Sequence, residues 1–333
     1  MITTTALGPV RTVDAGPLTV GYVEAGDPAG PPVLLLHGYP YDVHSYVDVV
    51  PLLAAQGLRV VVPYLRGHGP TTFRDRRTPR SGQQGALGAD VVALLDALGI
   101  DAAVLAGYDW GGRAACVAAA LWPERVTGLV SVNGYLVQDV AASRTPLPPD
   151  LEAGFWYFWY FSTERGRRGL TQNRAEVARV IRARNSPERT VTDAELVRAA
   201  AAFDNPDYVD VVIHSYRHRL GLAPGDPAYD DVERRLADLP RIDVPAVTLD
   251  GLADGNFPAT DGSSTARFFG GPREHRQVPH AGHDLPADAP EAFAQAVLDL
   301  VRPARGDAQP EPGTYTAAAL GGGSPTSSTG RGA

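Results

Sequence analysis

The sequence predicts an α/β protein: a mainly parallel sheet covered by helices on both faces, interrupted by a helical insertion. Three observations carry this expectation. Short apolar runs alternate with helical patterns over residues 1–134 and again over 240–302. Several of those runs are wholly apolar, as strands buried on both faces must be. From about Tyr135 to Leu239 the alternation lapses into aromatic clusters, helical patterns and turn punctuation at Pro187, Pro206 and Pro224, with no clear strand.

Taken in order, Leu18 to Glu24 alternates as a strand does, and Pro32 to His37 reads as a buried strand. His44 to Gln56 fits a helix ended near Gly57, and Arg59 to Tyr64 is β-branched and strand-like. A helix from about Gln84 to Leu98 stops at Gly99. The apolar run Ala102–Ala106 leads through a turn into an Ala-rich helix, Arg113 to Leu121, and then a strand, Val126 to Val132. After the insertion come a strand at Ala246–Asp250, a helix after Asp261, a short strand near His275–Val278 and a helix at Pro290–Val301. Residues 303–333 are rich in Gly, Pro, Ser and Thr, the composition of a disordered tail.

The chain of 333 residues can bury a large core, and its 44% hydrophobic and 20% charged content is that of a soluble globular protein. No segment has the roughly 18 uninterrupted apolar residues of a membrane helix, which excludes a membrane partner on this reading. The first ten residues lack the basic and apolar stretches of a signal peptide, so a cytoplasmic location is expected. A net charge of −8 without a basic block argues against nucleic acid. All 30 cationic side chains are Arg, a mark of genome composition rather than function. The lone Cys116 excludes an internal disulfide and reads as a small buried hydrophobe.

The most informative segment is Gly107-Tyr108-Asp109-Trp110-Gly111-Gly112, between the apolar run and the Ala-rich helix. Small residues flanking a polar one at a strand-to-helix turn describe a nucleophile elbow. The usual occupant is Ser, and here it is Asp109. A carboxylate attacking an ester yields only an anhydride, but it can displace a leaving group from an sp³ carbon and form an alkyl ester that water cleaves. Epoxides and carbon–halogen bonds are therefore the expected targets. The bland alternative makes Asp109 a helix N-cap.

With His37-Gly38-Tyr39-Pro40 ending an apolar strand, the acidic turn Gly251-Leu252-Ala253-Asp254 and Ala281-Gly282-His283 before the last helix, this elbow completes an ordered set. The chain thereby resembles α/β-hydrolases of the epoxide hydrolase and haloalkane dehalogenase branch over roughly residues 18 to 302, closest to the epoxide hydrolases. The resemblance implies an α/β-hydrolase fold whose inserted segment, 135–239, is a helical cap. It implies Asp109 as nucleophile, His283 as the base that activates water and Asp254 as its acid partner. The backbone N–H groups of Tyr39 and Trp110 would form the oxyanion hole. His280 rivals His283, and Asp250 rivals Asp254. Asn133 lies where some dehalogenases carry their acid, but an amide cannot supply that charge. No metal and no cofactor are called for.

In the insertion, Phe155-Trp156-Tyr157-Phe158-Trp159-Tyr160-Phe161 concentrates aromatics. Most are expected to pack or line a pocket, with Trp156, Trp159 and Tyr160 as substrate-binding candidates. The resemblance implies two cap tyrosines that hydrogen-bond the epoxide oxygen, matched to Tyr157 and to Tyr216 within His214-Ser215-Tyr216-Arg217; Tyr160 and Trp159 rival Tyr157. A dehalogenase would instead need Trp110 and a second donor, Trp156 or Trp159, for the departing halide. A silent hydrolase fold that binds a ligand or steers a cyclisation is a third reading, against which the intact Asp–His–Asp set argues. The expected partners are a bulky apolar small molecule and water, and the sequence is compatible with a homo-oligomer.

Overall fold

The apolar runs become the centre of a nine-stranded sheet in the computed structural model, which describes residues 4–5 and 7–301. The tail expected over 303–333 lies outside the described residues. A two-residue ladder, β1 (Thr4–Thr5) on β2 (Gly8–Pro9), precedes the sheet. The sheet itself comprises β3 (Arg11–Ala15), β4 (Leu18–Gly26), β5 (Pro32–Leu36), β6 (Arg59–Pro63), β7 (Thr72–Phe73), β8 (Ala103–Gly107), β9 (Val126–Val132), β10 (Ala246–Gly251) and β11 (Arg273–Val278). Its order is β11-β10-β9-β8-β5-β6-β4-β3, with β7 paired to β4. The run from β11 to β6 is parallel; β4, β3 and β7 join antiparallel. All residues of β8 and β10 are buried, which is why those segments show no polar alternation.

Helices α1 (Val49–Ala54), α2 (Gln84–Ala97) and α3 (Asp109–Leu121) follow β5, β7 and β8. Between β9 and β10 come α4 (Pro149–Gly154), α5 (Trp156–Ser162), α6 (Glu164–Gln172), α7 (Arg174–Asn185), α8 (Asp193–Ala200), α9 (Tyr208–Arg219) and α10 (Asp230–Ala237), with no strand among them. The chain closes with α11 (Ser263–Ala266), α12 (Leu285–Asp288) and α13 (Pro290–Val301). The pairs α2 with α3 and α1 with α13 pack together and cover the sheet. Among the described residues no helix is long and apolar enough to cross a membrane.

Two expected helices come out differently. His44 to Gln56 splits into a 3-10 turn, Val43–Tyr46, and the short α1. Asp42 caps the turn through the His44 N–H, and Pro51, which is tolerated only in a helix's first turn, makes the regular helix start just before it. The helix after Asp261 is the single turn α11. The edge strands β3 and β7 were not expected, because short partly exposed segments carry little periodic signal.

The connectivity positions the site. From β5 the chain moves outward to β6, then returns to place β8 on the other side of β5. The direction of winding thus reverses between β5 and β8, and at such a switch the carboxyl ends of two adjacent strands open a crevice. Tyr39 follows β5 and Asp109 follows β8, so both stand at that crevice. Rings from the helical excursion reach over it: Tyr157 of α5 and Tyr216 of α9 lie 6.5 Å and 5.5 Å from the Tyr39 ring, centroid to centroid.

Candidate active site

Asp109 occupies a left-handed turn, φ 51°, where β8 ends and α3 begins. A non-glycine residue is held there only if its surroundings compensate the strain. The flanking glycines make the approach possible: a Cβ on Gly111 would lie 2.0 Å from the Leu36 carbonyl oxygen of β5. The Asp109 carboxylate is then gripped asymmetrically. Oδ1 accepts the Tyr39 backbone N–H at 2.7 Å, and the Trp110 N–H also favours the charged form. Oδ2 lies 3.5 Å from His283 Nε2. Burial would raise the carboxyl pKa, but His283 and the two backbone donors outweigh it and hold it below the usual carboxylate range.

His283 is buried, and its Nδ1 donates to Asp254 Oδ2 at 2.8 Å. Burial opposes its charge, yet Asp254 and Asp109 on its two sides push the imidazole up to about 10. The Phe257 ring stacks on it at 5.3 Å. Asp254 is itself immobilised. Its Oδ1 accepts the Asn256 and Phe257 N–H groups, both at 2.9 Å, and its Oδ2 accepts Asn133 Nδ2 at 3.3 Å. The rivals point elsewhere. His280 is exposed and paired with Glu188, and Asp250 accepts from the Thr260 N–H and hydroxyl.

A buried ring cluster closes over the carboxylate. Tyr39 stacks on Trp110 at 5.5 Å, and Tyr216 meets Trp110 at 5.8 Å and Tyr157 at 5.4 Å. Phe161 and Tyr208 complete it, 6.1 Å and 6.3 Å from Tyr39. The charge on Asp109 reaches the Tyr157 and Tyr216 hydroxyls, and with burial, the larger cause, it raises both phenol pKa values. The periodicity of α5 sorts the aromatic run. Tyr157 and Phe161, four residues apart, share the inward face. Two of the three expected substrate-binding aromatics, Trp159 and Tyr160, turn their polar ends away from Asp109. Trp159 is 48% exposed and donates Nε1 to Glu152 at 2.9 Å, so it lines no pocket here. The Tyr160 hydroxyl fills the space left by the absent side chain of Gly169 in α6, and Trp156 packs on Tyr160 and edge-to-face on Tyr157.

Sequence reasoning missed the support of the acid. Asn133, set aside as unable to carry charge, instead donates to Asp254; its left-handed backbone (φ 65°) marks it as a special position. It also missed Asn185, whose carbonyl accepts the His283 N–H at 3.0 Å and whose side chain pairs with Asn256. Long-range contacts of this kind have no local signature in one sequence.

With the sheet order, the elbow and the Asp–His–Asp alignment established, the class follows: the chain belongs to the α/β-hydrolase fold family, whose model matches residues 31–290. Among particular relatives, epoxide hydrolase A of Mycobacterium tuberculosis is 26% identical over 87% of this chain and 96% of its own length. A crystal structure from Klebsiella pneumoniae, provisionally named an epoxide hydrolase, shares 48% identity with a TM-score of 0.86, covering 88% of this chain and 97% of that one. A Pseudomonas aeruginosa structure at 21% identity and TM-score 0.72 shares the fold.

Two expectations follow from this geometry. Gly111→Ala should cost about 3 kcal/mol or more, because its Cβ meets rigid backbone, and chemical denaturation would measure it; wild-type stability would contradict the packing described. The His283 pKa lies above the ordinary 6.5, so its ion pairs contribute fully below that value and are lost as the pH rises through about 10. Urea unfolding should therefore show a stability decline between about pH 7 and about pH 11 that is smaller in His283→Gln.

Proposed function

We propose that this protein hydrolyses epoxides to vicinal diols through a covalent Asp109 ester, with residues 135–239 acting as the cap over the substrate. One observation carries the reading: a carboxylate, rather than a hydroxyl, stands in the elbow with two buried phenols within reach of its charge. Similarity to proteins named epoxide hydrolases supports it.

The asymmetric grip on Asp109 assigns its oxygens. Oδ2, the oxygen that faces His283 and not the Tyr39 N–H, attacks an epoxide carbon, the C–O bond breaks, and the electron pair moves to the epoxide oxygen. Tyr157 and Tyr216 donate to that oxygen as it becomes an alkoxide. Oδ1 becomes the ester carbonyl oxygen, already seated on the Tyr39 N–H, with the Trp110 N–H also favouring charge on this carboxyl. Those donors then stabilise the tetrahedral oxyanion when water attacks.

Esterification also erases the Asp109 charge that helped to raise His283, so the imidazole becomes easier to deprotonate when a base is required. The proton balance closes within the site. The imidazolium of the resting enzyme holds as many protons as the alkoxide consumes, and ester hydrolysis returns one. Asp254 holds the ring in place and stabilises the imidazolium whenever it forms, and its N–H and Asn133 partners keep it from turning away.

Of the two expected second halide donors for the dehalogenase alternative, Trp159 is at the surface, while Trp156 packs against Tyr157 and Tyr160. The assembled site likewise argues against a silent ligand binder. The aromatic surround fits an apolar substrate, and its bulk belongs to the same proposal. A cytoplasmic location accords with the single buried thiol, Cys116, which needs no oxidising compartment.

The decisive experiment is mass spectrometry of His283→Gln mixed with an epoxide. About one equivalent should be consumed without diol release, leaving Asp109 alkylated, while Asp109→Ala consumes none. Multiple turnovers by Asp109→Ala would overturn the mechanism. Tyr216→Phe should slow alkylation on the order of 10²-fold and leave ester hydrolysis much less affected, a split that single-turnover kinetics resolves.

A further inference from the structure

Next to the ring cluster lie two arginines that the hydrolytic machinery does not use. Arg113 stands on α3, four residues and one turn after Asp109, and Arg219 ends α9 three residues after Tyr216. Arg113 Nη1 and Arg219 Nε both donate to a single neutral acceptor, Gln138 Oε1, each at 3.0 Å. Gln138 returns a bond from its Nε2 to the Arg219 carbonyl at 2.9 Å. Its own backbone is pinned by Gln84, which accepts the Gln138 N–H at 2.8 Å and donates to the Gln138 carbonyl at 3.0 Å.

Neither guanidinium has a carboxylate partner among the described residues, although the chain pairs arginines with acids throughout. Glu233, which feels the Arg113 charge, is turned to the Gly85 N–H instead and is pushed toward its neutral form by burial. Two like charges on one amide are unfavourable. Burial and the neighbouring Arg219 push Arg113 down to about 9, still charged at neutral pH. Arg219 directs its charge at rings: its Cζ lies 4.5 Å from the Phe158 centroid and 5.6 Å from that of Tyr216.

We propose that Arg219, clamped with Arg113 by Gln138, is a positioning residue for the ring-opening half-reaction, its fixed positive charge on the face of Tyr216 drawing the developing negative charge toward the phenol-bound oxygen. The inference rests on the epoxide reading given above. During alkylation the negative charge leaves Asp109 and arrives at the oxygen held by the tyrosines. A cation against Tyr216 is closer to where the charge goes than to where it starts, so it stabilises the transition state more than the ground state. In the second half-reaction the charge develops at the Tyr39 and Trp110 N–H groups instead, and Arg219 has much less leverage. A neutral clamp suits this role, because a carboxylate at residue 138 would cancel the field.

Two variants of the full chain test the idea in single-turnover kinetics. Arg219→Met keeps an apolar stem over the rings but removes the charge. Gln138→Glu keeps both arginines and the acceptor while neutralising one unit of charge. Each should slow alkylation about tenfold with ester hydrolysis unchanged, and Arg219→Lys should recover part of the loss. The deficit should shrink with epoxides whose substituents make the alkoxide less basic, a dependence that mere loosening of the fold would not produce. Alkylation at the wild-type rate in Gln138→Glu, or equal loss in both half-reactions, would overturn the proposal and leave the epoxide reading standing. A wild-type protein that opens no epoxide would sink both.

Discussion

A buried carboxylate must have donors for its lone pairs, and the way Asp109 finds them dictates much of the surrounding chain. One oxygen takes the Tyr39 backbone N–H, which requires β5 to end beside β8 and the helix after the elbow to start without a side chain at Gly111. The other faces an imidazolium, which requires the loop after β11 to return to the same crevice. That imidazolium is held charged by Asp109 together with a second buried carboxylate behind it, and that one in turn consumes two backbone N–H groups and an amide. The order of the central strands, the left-handed turn and the αL backbone of Asn133 are successive answers to the cost of placing negative charge in a dry site.

The same dryness governs the insertion. Its rings contribute apolar area, but the informative feature is where their polar ends fall. Tyr157 and Tyr216 bring hydroxyls within reach of Asp109, while Trp159 takes its N–H to Glu152 at the surface. Three residues separate a phenol that meets Tyr216 from one whose hydroxyl is taken up against Gly169 of α6.

Much of this was legible from the sequence, for a physical reason. Buried parallel strands must be apolar throughout, so β5, β8 and β10 announced themselves, and the elbow's glycines are demanded locally by close backbone contacts. The order of Asp109, Asp254 and His283 along the chain matched the sheet that brings them together. What escaped notice depends on tertiary placement. Pro51 decided where a helix could begin, the phase of α5 decided which aromatic faces inward, and Asn133, Asn185 and Gln138 act through partners far away in sequence. An amide looks unremarkable in a sequence because its value lies in satisfying a neighbour without adding charge.

The unequal treatment of the two Asp109 oxygens has a further consequence for the material identity of the catalyst. In the proposed mechanism Oδ1, seated on the Tyr39 N–H, would stay with the protein through both half-reactions. Oδ2 would form the new bond to carbon and, since water attacks the carboxyl carbon, would depart in the diol. Each cycle would then export one atom of the protein and replace it from solvent. Of the two oxygens of the nucleophile, one would be a permanent part of the fold and the other a consumable, with the Tyr39 N–H deciding which is which.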